Sequence, residues 1–295
     1  MRFFIFSCTL AALVATMSSC SGTQQTQIPN TKQEVQPLET KEINTDTPNA
    51  SGFAITRIRE GDSYKEGVVD SKGAEIIPAS THLLVKDLTG SLALINVDRK
   101  FLFVPLEGGA VLKEEIDSVK GFQYAEPFQC GHALVVVDDR WFYIDSKFEK
   151  AFGLDFEFAE TFHHDRALVK SEKGFQIIDN TGKIVADLNF DQVNPQSPWF
   201  WQVTKIENKR YRSGFVDLNG KLITDVNFDD VGYYQPDVKR LRVTVGDLHG
   251  FLNEHAHTVI PIQYEHAEIF DRGKARVRLN GRSFFINNDG VEVPE

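Results

Sequence analysis

From Phe53 to Pro294 short apolar runs alternate with polar turns, and one order of runs comes round seven times. In each round a first run, alternating or β-branched, begins at Phe53, Leu92, Ala133, Ala167, Gln202, Leu241 or Ala275. A second run ends on a turn residue, as in Gly214-Phe215-Val216-Asp217 and Trp141-Phe142-Tyr143-Ile144-Asp145. A third follows the turn, as in Leu222-Ile223 and Val259-Ile260. A weaker fourth pattern, aromatic-acidic-x-apolar, appears at Phe190-Asp191-Gln192-Val193, Phe228-Asp229-Asp230-Val231 and Tyr264-Glu265-His266-Ala267. Runs this short and this rich in β-branched and aromatic residues predict strands, and no stretch sustains a helical period.

The turn residue sets the repeat. The position of Asp217 recurs as Asp70, Pro105, Asp145, Asp179, Asn253 and Asn287, at intervals of 35, 40, 34, 38, 36 and 34 residues. Glycine stands three residues later in five units, while Phe148 and Ala256 replace it in the third and sixth. Asp or Asn at the first place and Gly at the last fit a type I turn, in which the side chain accepts backbone N–H groups. Exchange of Asp for Asn along the series argues for that structural role and against an array of catalytic carboxylates. Units of about 36 residues cannot each bury a face alone, so neighbours must stack. The expected fold is all-β: seven tandem repeats in a propeller-like toroid, whose closure would hide sheet edges. An open β-solenoid is the alternative.

These motifs resemble the bacterial WG-repeat family, whose units read Trp-Gly-Phe-Ile-Asp, two variable residues, Gly, an apolar pair, Tyr-Asp and a later Phe-x-x-Gly-x-Ala. Lys173 to Asp179, Gly214 to Gly220 and Gly250 to Tyr264 carry the first part; Phe270 to Ala275 and Phe128 to Ala133 carry the second. The signature Trp stands only at Trp141, without its Gly. The resemblance spans roughly Phe53 to Pro294. It implies an exported or surface repeat scaffold rather than a defined reaction.

The N-terminus has another character. Arg2 precedes a short apolar run, Phe3 to Val14, too short to span a bilayer. Met17-Ser18-Ser19-Cys20 resembles a bacterial lipobox with Met in place of Leu, which implies cleavage before Cys20 and acylation of its thiol. An ordinary signal peptide is the alternative. Residues 1–19 are therefore read as a signal peptide, and 20–51 as a lipidated Cys with a tether rich in Gln, Thr, Asn, Pro and Glu. About 30 such residues span on the order of 30 Å. The β-repeat domain is expected over 52–295, exported and held at the cell envelope by its acyl chains. Of the three cysteines, Cys8 leaves with the signal and Cys20 is acylated, so Cys130 stands alone and is expected to be small and buried.

The formal charge is −10; loss of Arg2 with the signal leaves 31 basic against 42 acidic residues, or −11. That balance argues against nucleic acid as a partner. Catalytic and cofactor motifs are not found. His163-His164-Asp165 has no nucleophile elbow beside it, and no glycine-rich phosphate loop occurs. His255-x-His257 could offer two imidazoles to zinc, but no Cys or carboxylate spacing supports them, and exposed turn histidines are the plainer reading. The expectation is therefore no enzyme, no metal and no cofactor. A hydrolase or lyase acting on a glycan or peptide, built on His163 and acidic loops, is the alternative. An excess of aromatic residues lies in the connections leading into the first runs. Tyr124, Trp199, Tyr233 and Tyr234 exceed what the repeat requires, and with His163 they form a candidate ligand surface for a glycan, a peptide or an envelope protein. The competing reading closes the core with these rings beneath long loops.

Overall fold

The computed structural model describes residues 41–111, 115–116 and 119–294. The signal, Cys20 and most of the tether lie outside the described residues. The described residues form seven small antiparallel sheets and fall into two compact units that divide between Ala125 and Glu126.

The first unit holds two sheets and a short end strand. Sheet one runs β1 (Glu42–Thr45), β2 (Phe53–Glu60), β3 (Ser63–Asp70) and β4 (Glu75–Ser80). Sheet two runs β5 (Leu83–Thr89), β6 (Leu92–Val97) and β7 (Lys100–Pro105), and β8 is Tyr124–Ala125. The strand β1 falls within the stretch expected to be tether. It is polar and exposed, and what holds it is pairing with β2, Glu42 opposite Arg59 through Thr45 opposite Thr56, with an Arg57–Asp46 ion pair at 2.7 Å beside it. One core, with Val68, Ile77, Ala93, Ile95 and Leu106 fully or almost fully buried, serves both sheets.

The second unit contains β9 (Ala133–Val137) and β10 (Arg140–Ile144), then four further sheets. Sheet four is β11 (Phe158–Ala159), β12 (Arg166–Ser171), β13 (Gly174–Asp179) and β14 (Ile184–Leu188). Sheet five is β15 (Gln192–Ser197), β16 (Phe200–Glu207) and β17 (Arg210–Asp217). Sheet six is β18 (Asp230–Val231), β19 (Leu241–Val245), β20 (Leu248–Leu252) and β21 (Thr258–Tyr264). Sheet seven is β22 (His266–Ala267), β23 (Ala275–Leu279), β24 (Arg282–Ile286) and β25 (Glu292–Val293). Successive sheets share a core. Leu168 and Ile177 of sheet four pack with Trp201 and Val216 of sheet five, whereas the opposite face of sheet four gives Ala167, Val169 and Ile178 to Leu134 and Tyr143. Sheets five and six meet at Phe200, Phe215 and Leu252; sheets six and seven meet at Phe251, Phe270 and Ile286. Burial on both faces explains why an inner first run such as Ala133-Leu134-Val135-Val136 is apolar without alternation, whereas Ala275–Leu279 of the last sheet alternates buried and exposed residues.

The turns follow the sequence reading. Asp217 Oδ1 accepts the N–H groups of Asn219 and Lys221, each at 2.9 Å. Asp70, Asp145, Asp179, Asn253 and Asn287 bind the amides two and four residues on in the same way. Those bonds hold Asp70 below the usual carboxylate range, the Ala74 amide first. Gly73, Gly182, Gly220 and Gly290 adopt φ near 80°, and Phe148 and Ala256 are forced to φ 61° and 59° where the unit lacks glycine. Asp217→Ala should lose about 1–2 kcal/mol of stability, and Asp217→Asn well under 1, because the amide oxygen keeps both bonds as Asn253 does. Equal loss from both, read by thermal denaturation, would refute the side-chain acceptor role.

The acid of the fourth pattern is structural too. Asp191 Oδ2 accepts Ile206 N–H and Asp229 Oδ2 accepts Gly246 N–H, each at 2.7 Å, while Glu265 takes Gly281 N–H at 3.2 Å. In the second unit these carboxylates tie the short strand to the hairpin of the sheet it joins.

Candidate functional site

In the second unit each first strand begins opposite the end of the second: Arg166 pairs with Asp179, Phe200 with Asp217, Leu241 with Leu252 and Ala275 with Ile286. The turn entering strand one and the Asp/Asn turn leaving strand two therefore share one end of each sheet. Two-residue turns join Gln129 to His132, His163 to Arg166 and Asp271 to Lys274, each closed by a pair of backbone bonds. Their central residues have positive φ: Cys130 and Gly131, His164 and Asp165, Arg272 and Gly273. That is hairpin geometry of the primed kind. It also corrects the reading of Cys130, which is exposed at a turn tip.

One of these turns gathers its neighbours. The His164 ring stacks on the Trp199 indole with centroids 3.8 Å apart and planes 20° from parallel. Trp199 sits in the Pro198-Trp199 turn, its N–H bonded to Ser197 Oγ at 3.1 Å. The His255 ring, from the Asp/Asn turn of sheet six, meets the same indole at 5.9 Å and 67°. Next in the turn, Asp165 Oδ1 accepts from Asn180 Nδ2 at 3.1 Å. Arg166 then donates from Nη2 to Asn219 Oδ1 of sheet five at 3.3 Å and from Nη1 to its neighbour's carbonyl. His164-Asp165-Arg166 thus bonds or stacks with groups from sheets four and five, and the indole extends the cluster to sheet six. Trp199 keeps 42% of its surface exposed.

The remaining candidates fall elsewhere. Tyr124 is half-buried in the first unit, its ring 5.5 Å from Phe101. Phe158, likewise just before an Ala in a two-residue strand, packs on Trp141 in the same manner, so the ring at Tyr124 is a repeat feature rather than a surplus. Tyr234 also fills a repeat position. Gly232 N–H bonds to Arg242 O as Glu160 N–H bonds to Leu168 O, which aligns Tyr234 with the core Phe162. Its ring meets Phe200 edge-on at 6.3 Å, and burial raises its pKa. Tyr233, 90% exposed, makes no hydrogen bond or ring contact among the described residues. His163 Nε2 lies 3.3 Å from Thr161 Oγ1; burial, and then His164, lower its pKa. Among the described residues no three His, Cys, Asp or Glu side chains are grouped to hold a metal.

A group the sequence did not disclose lies just below this rim. The carboxyl of Glu160 is covered by Trp201, whose Nε1 donates to Oε2 at 3.3 Å. Tyr143 Oη donates to the Glu160 carbonyl at 2.5 Å. Burial drives the Glu160 pKa up to about 7, against the small opposing effect of the indole bond.

Two segments, residues 141–174 and 250–282, match the family model for the WG containing repeat, and these matches support a WG-repeat family for the chain. No curated relative matches. Among solved structures the chain is similar to a eukaryotic initiation factor (TM-score 0.44, 11% identity, 87% of this chain and 77% of that one). It is also similar to Hsv2p of Kluyveromyces lactis (TM-score 0.40, 8% identity, 82% and 91%) and to the WD40 domain of Neurospora crassa Pan2 (TM-score 0.32, 11% identity, 82% and 86%). At such scores none of the three bears on what this chain binds.

Proposed function

We propose that this WG-repeat chain is a non-catalytic binding and scaffold module, exported and tied to a cell-envelope membrane through acylated Cys20. Its working surface is the turn rim around Trp199. The observation that carries the binding role is the indole itself: a large ring left two-fifths exposed while a stacked imidazole fixes its position. Ordered, partly exposed aromatics are the groups on which interfaces concentrate their energy. The anchor rests on the leader and its lipobox-like end, and the acidic charge favours a partner other than nucleic acid.

The anchor is tested by membrane fractionation of wild type and Cys20→Ala. Wild type should sediment with membranes and the variant should appear in the soluble fraction; the same partition for both removes the lipid anchor. Binding is tested by capture of envelope proteins with wild type and Trp199→Ala.

A further inference from the structure

Around Trp199 the chemistry is polar and planar. Its neighbours are two imidazoles, and the stacked turn brings a carboxylate, two carboxamides and a guanidinium beside them. The side chains are fixed by bonds to one another, which use Asp165 Oδ1 and Asn219 Oδ1. Asp165 Oδ2 and the amide donors of Asn219 have no bond among the described residues. Among the described residues the contacts of Trp199 and its turn are aromatic or polar, which suits a peptide's apolar side chain less than a polar ring. His164 takes one stacking position on the indole, so a flat ring carrying hydroxyl groups would lie on the part of Trp199 that stays exposed, and the turn that carries His164 supplies Asp165 and, through Arg166, Asn219 as further polar partners. Charge narrows the class further. Arg166 is engaged with Asn219, Lys239 is paired with Glu254 at 3.2 Å, and the chain carries −10 overall, which disfavours a polyanion.

We infer that the His164–Trp199–His255 cluster is a saccharide subsite: an uncharged pyranose packs on the exposed part of the Trp199 indole that His164 leaves open, and Asp165 and Asn219 bind its hydroxyls. The inference rests on the reading of the rim as a binding surface and narrows it to one ligand class. Asp165 accepts from a sugar hydroxyl, and Asn219 donates to a second. The sister turns carry Gly131 and Gly273 at the place of Asp165, so the side chain is not needed to form the turn.

The test is calorimetric titration of the mature full chain with neutral hexasaccharides: β-1,4-glucan, α-1,4-glucan, α-1,6-mannan and β-1,4-linked N-acetylglucosamine. At least one should bind in the micromolar to millimolar range. Trp199→Ala should weaken that binding at least about tenfold. Asp165→Gly should weaken it severalfold with an unlowered melting temperature, which separates ligand contact from folding. Failure of every probe to bind, or binding that survives Trp199→Ala, overturns the saccharide subsite. If instead an envelope protein is captured through Trp199 while no sugar binds, the saccharide inference falls and the binding-module reading stands. If neither sugar nor protein depends on Trp199, both fall.

Discussion

Replacing Gly250 by alanine should cost about 3 kcal/mol or more, several times the cost of the same change at Gly273. The two glycines are needed for different reasons. Gly273 sits at φ 79° with nothing within 4 Å of an added Cβ, so alanine there meets only left-handed strain of about 1 kcal/mol. Gly250 is buried within β20, and a Cβ would stand 2.8 Å from Ile260 O and 2.8 Å from Ile262 Cα of β21. Those are backbone atoms of the neighbouring strand, so relief requires moving β21 off the Phe251–Ile260 core, and overpacking of this kind is among the costlier substitutions. The pairing of β20 with β21 shifts register across this point, between His249 and Phe251, and again between Phe251 and Leu252. Gly67 and Gly214 hold the equivalent place, where an added Cβ would stand 2.6 Å from Ile77 O and 2.8 Å from Asp225 O. The glycine of the repeat signature is therefore a crossing point, where the third run passes directly over the second. At Gln176 the crossing is absent: its side chain donates to Asp187 Oδ1 at 2.7 Å across a regular pair. Thermal denaturation checks the ranking, at roughly 2–4 °C per kcal/mol for a unit of this size. Equal shifts for Gly250→Ala and Gly273→Ala would remove the crossing-point account.

What the sequence made legible follows from which forces are local. The first and second runs of every round are legible as strands because their apolar residues are short-spaced and β-branched or aromatic, whether one face is buried, as in Ala275–Leu279, or both, as in Ala133–Val137, and the Asp/Asn turns are visible because their bonds close within four residues. β1 was missed because Glu42-Ile43-Asn44-Thr45 carries no apolar signal, its order being lent by β2. β8 and β11 are two residues long, too short to leave a period. In the site, Trp199 stood out as a loop aromatic, but its partners lie 35 residues before it and 56 after, and only stacked sheets bring them together. Tyr124 and Tyr234 were counted as surplus because the repeat positions they fill are recognised by backbone pairing and not by residue type. Cys130 was expected inside because it precedes a glycine in a repeat; that glycine marks a turn tip, which points the residue outward.

Glu160→Gln should stabilise the protein at alkaline pH and do much less in mild acid. The Glu160 pKa stands at about 7 in the folded chain, against 4.5 for the free side chain, because its carboxyl is buried and Trp201 Nε1, a neutral donor, is the side chain that bonds to it among the described residues. Between those values the folded state holds a proton that the unfolded state has released, so stability falls as pH rises. The stabilising effect of the proton is fully present below about 4.5, declines through the window, and is gone above about 7. At 1.36 kcal/mol per unit the shift corresponds to about 3 kcal/mol, and solvent reaching the half-buried residue screens the loss to about 2. Glutamine keeps the shape and an oxygen for Trp201 Nε1, and removes the charge. Its advantage over wild type should therefore grow by about 2 kcal/mol between roughly pH 5 and pH 8, read as melting temperatures of the two proteins across that range. A constant gap would show that Glu160 does not titrate in the fold. A growing gap would mean that the junction of sheets four and five, directly below the Trp199 cluster, holds a carboxyl whose ionisation opposes the packing that positions the rim.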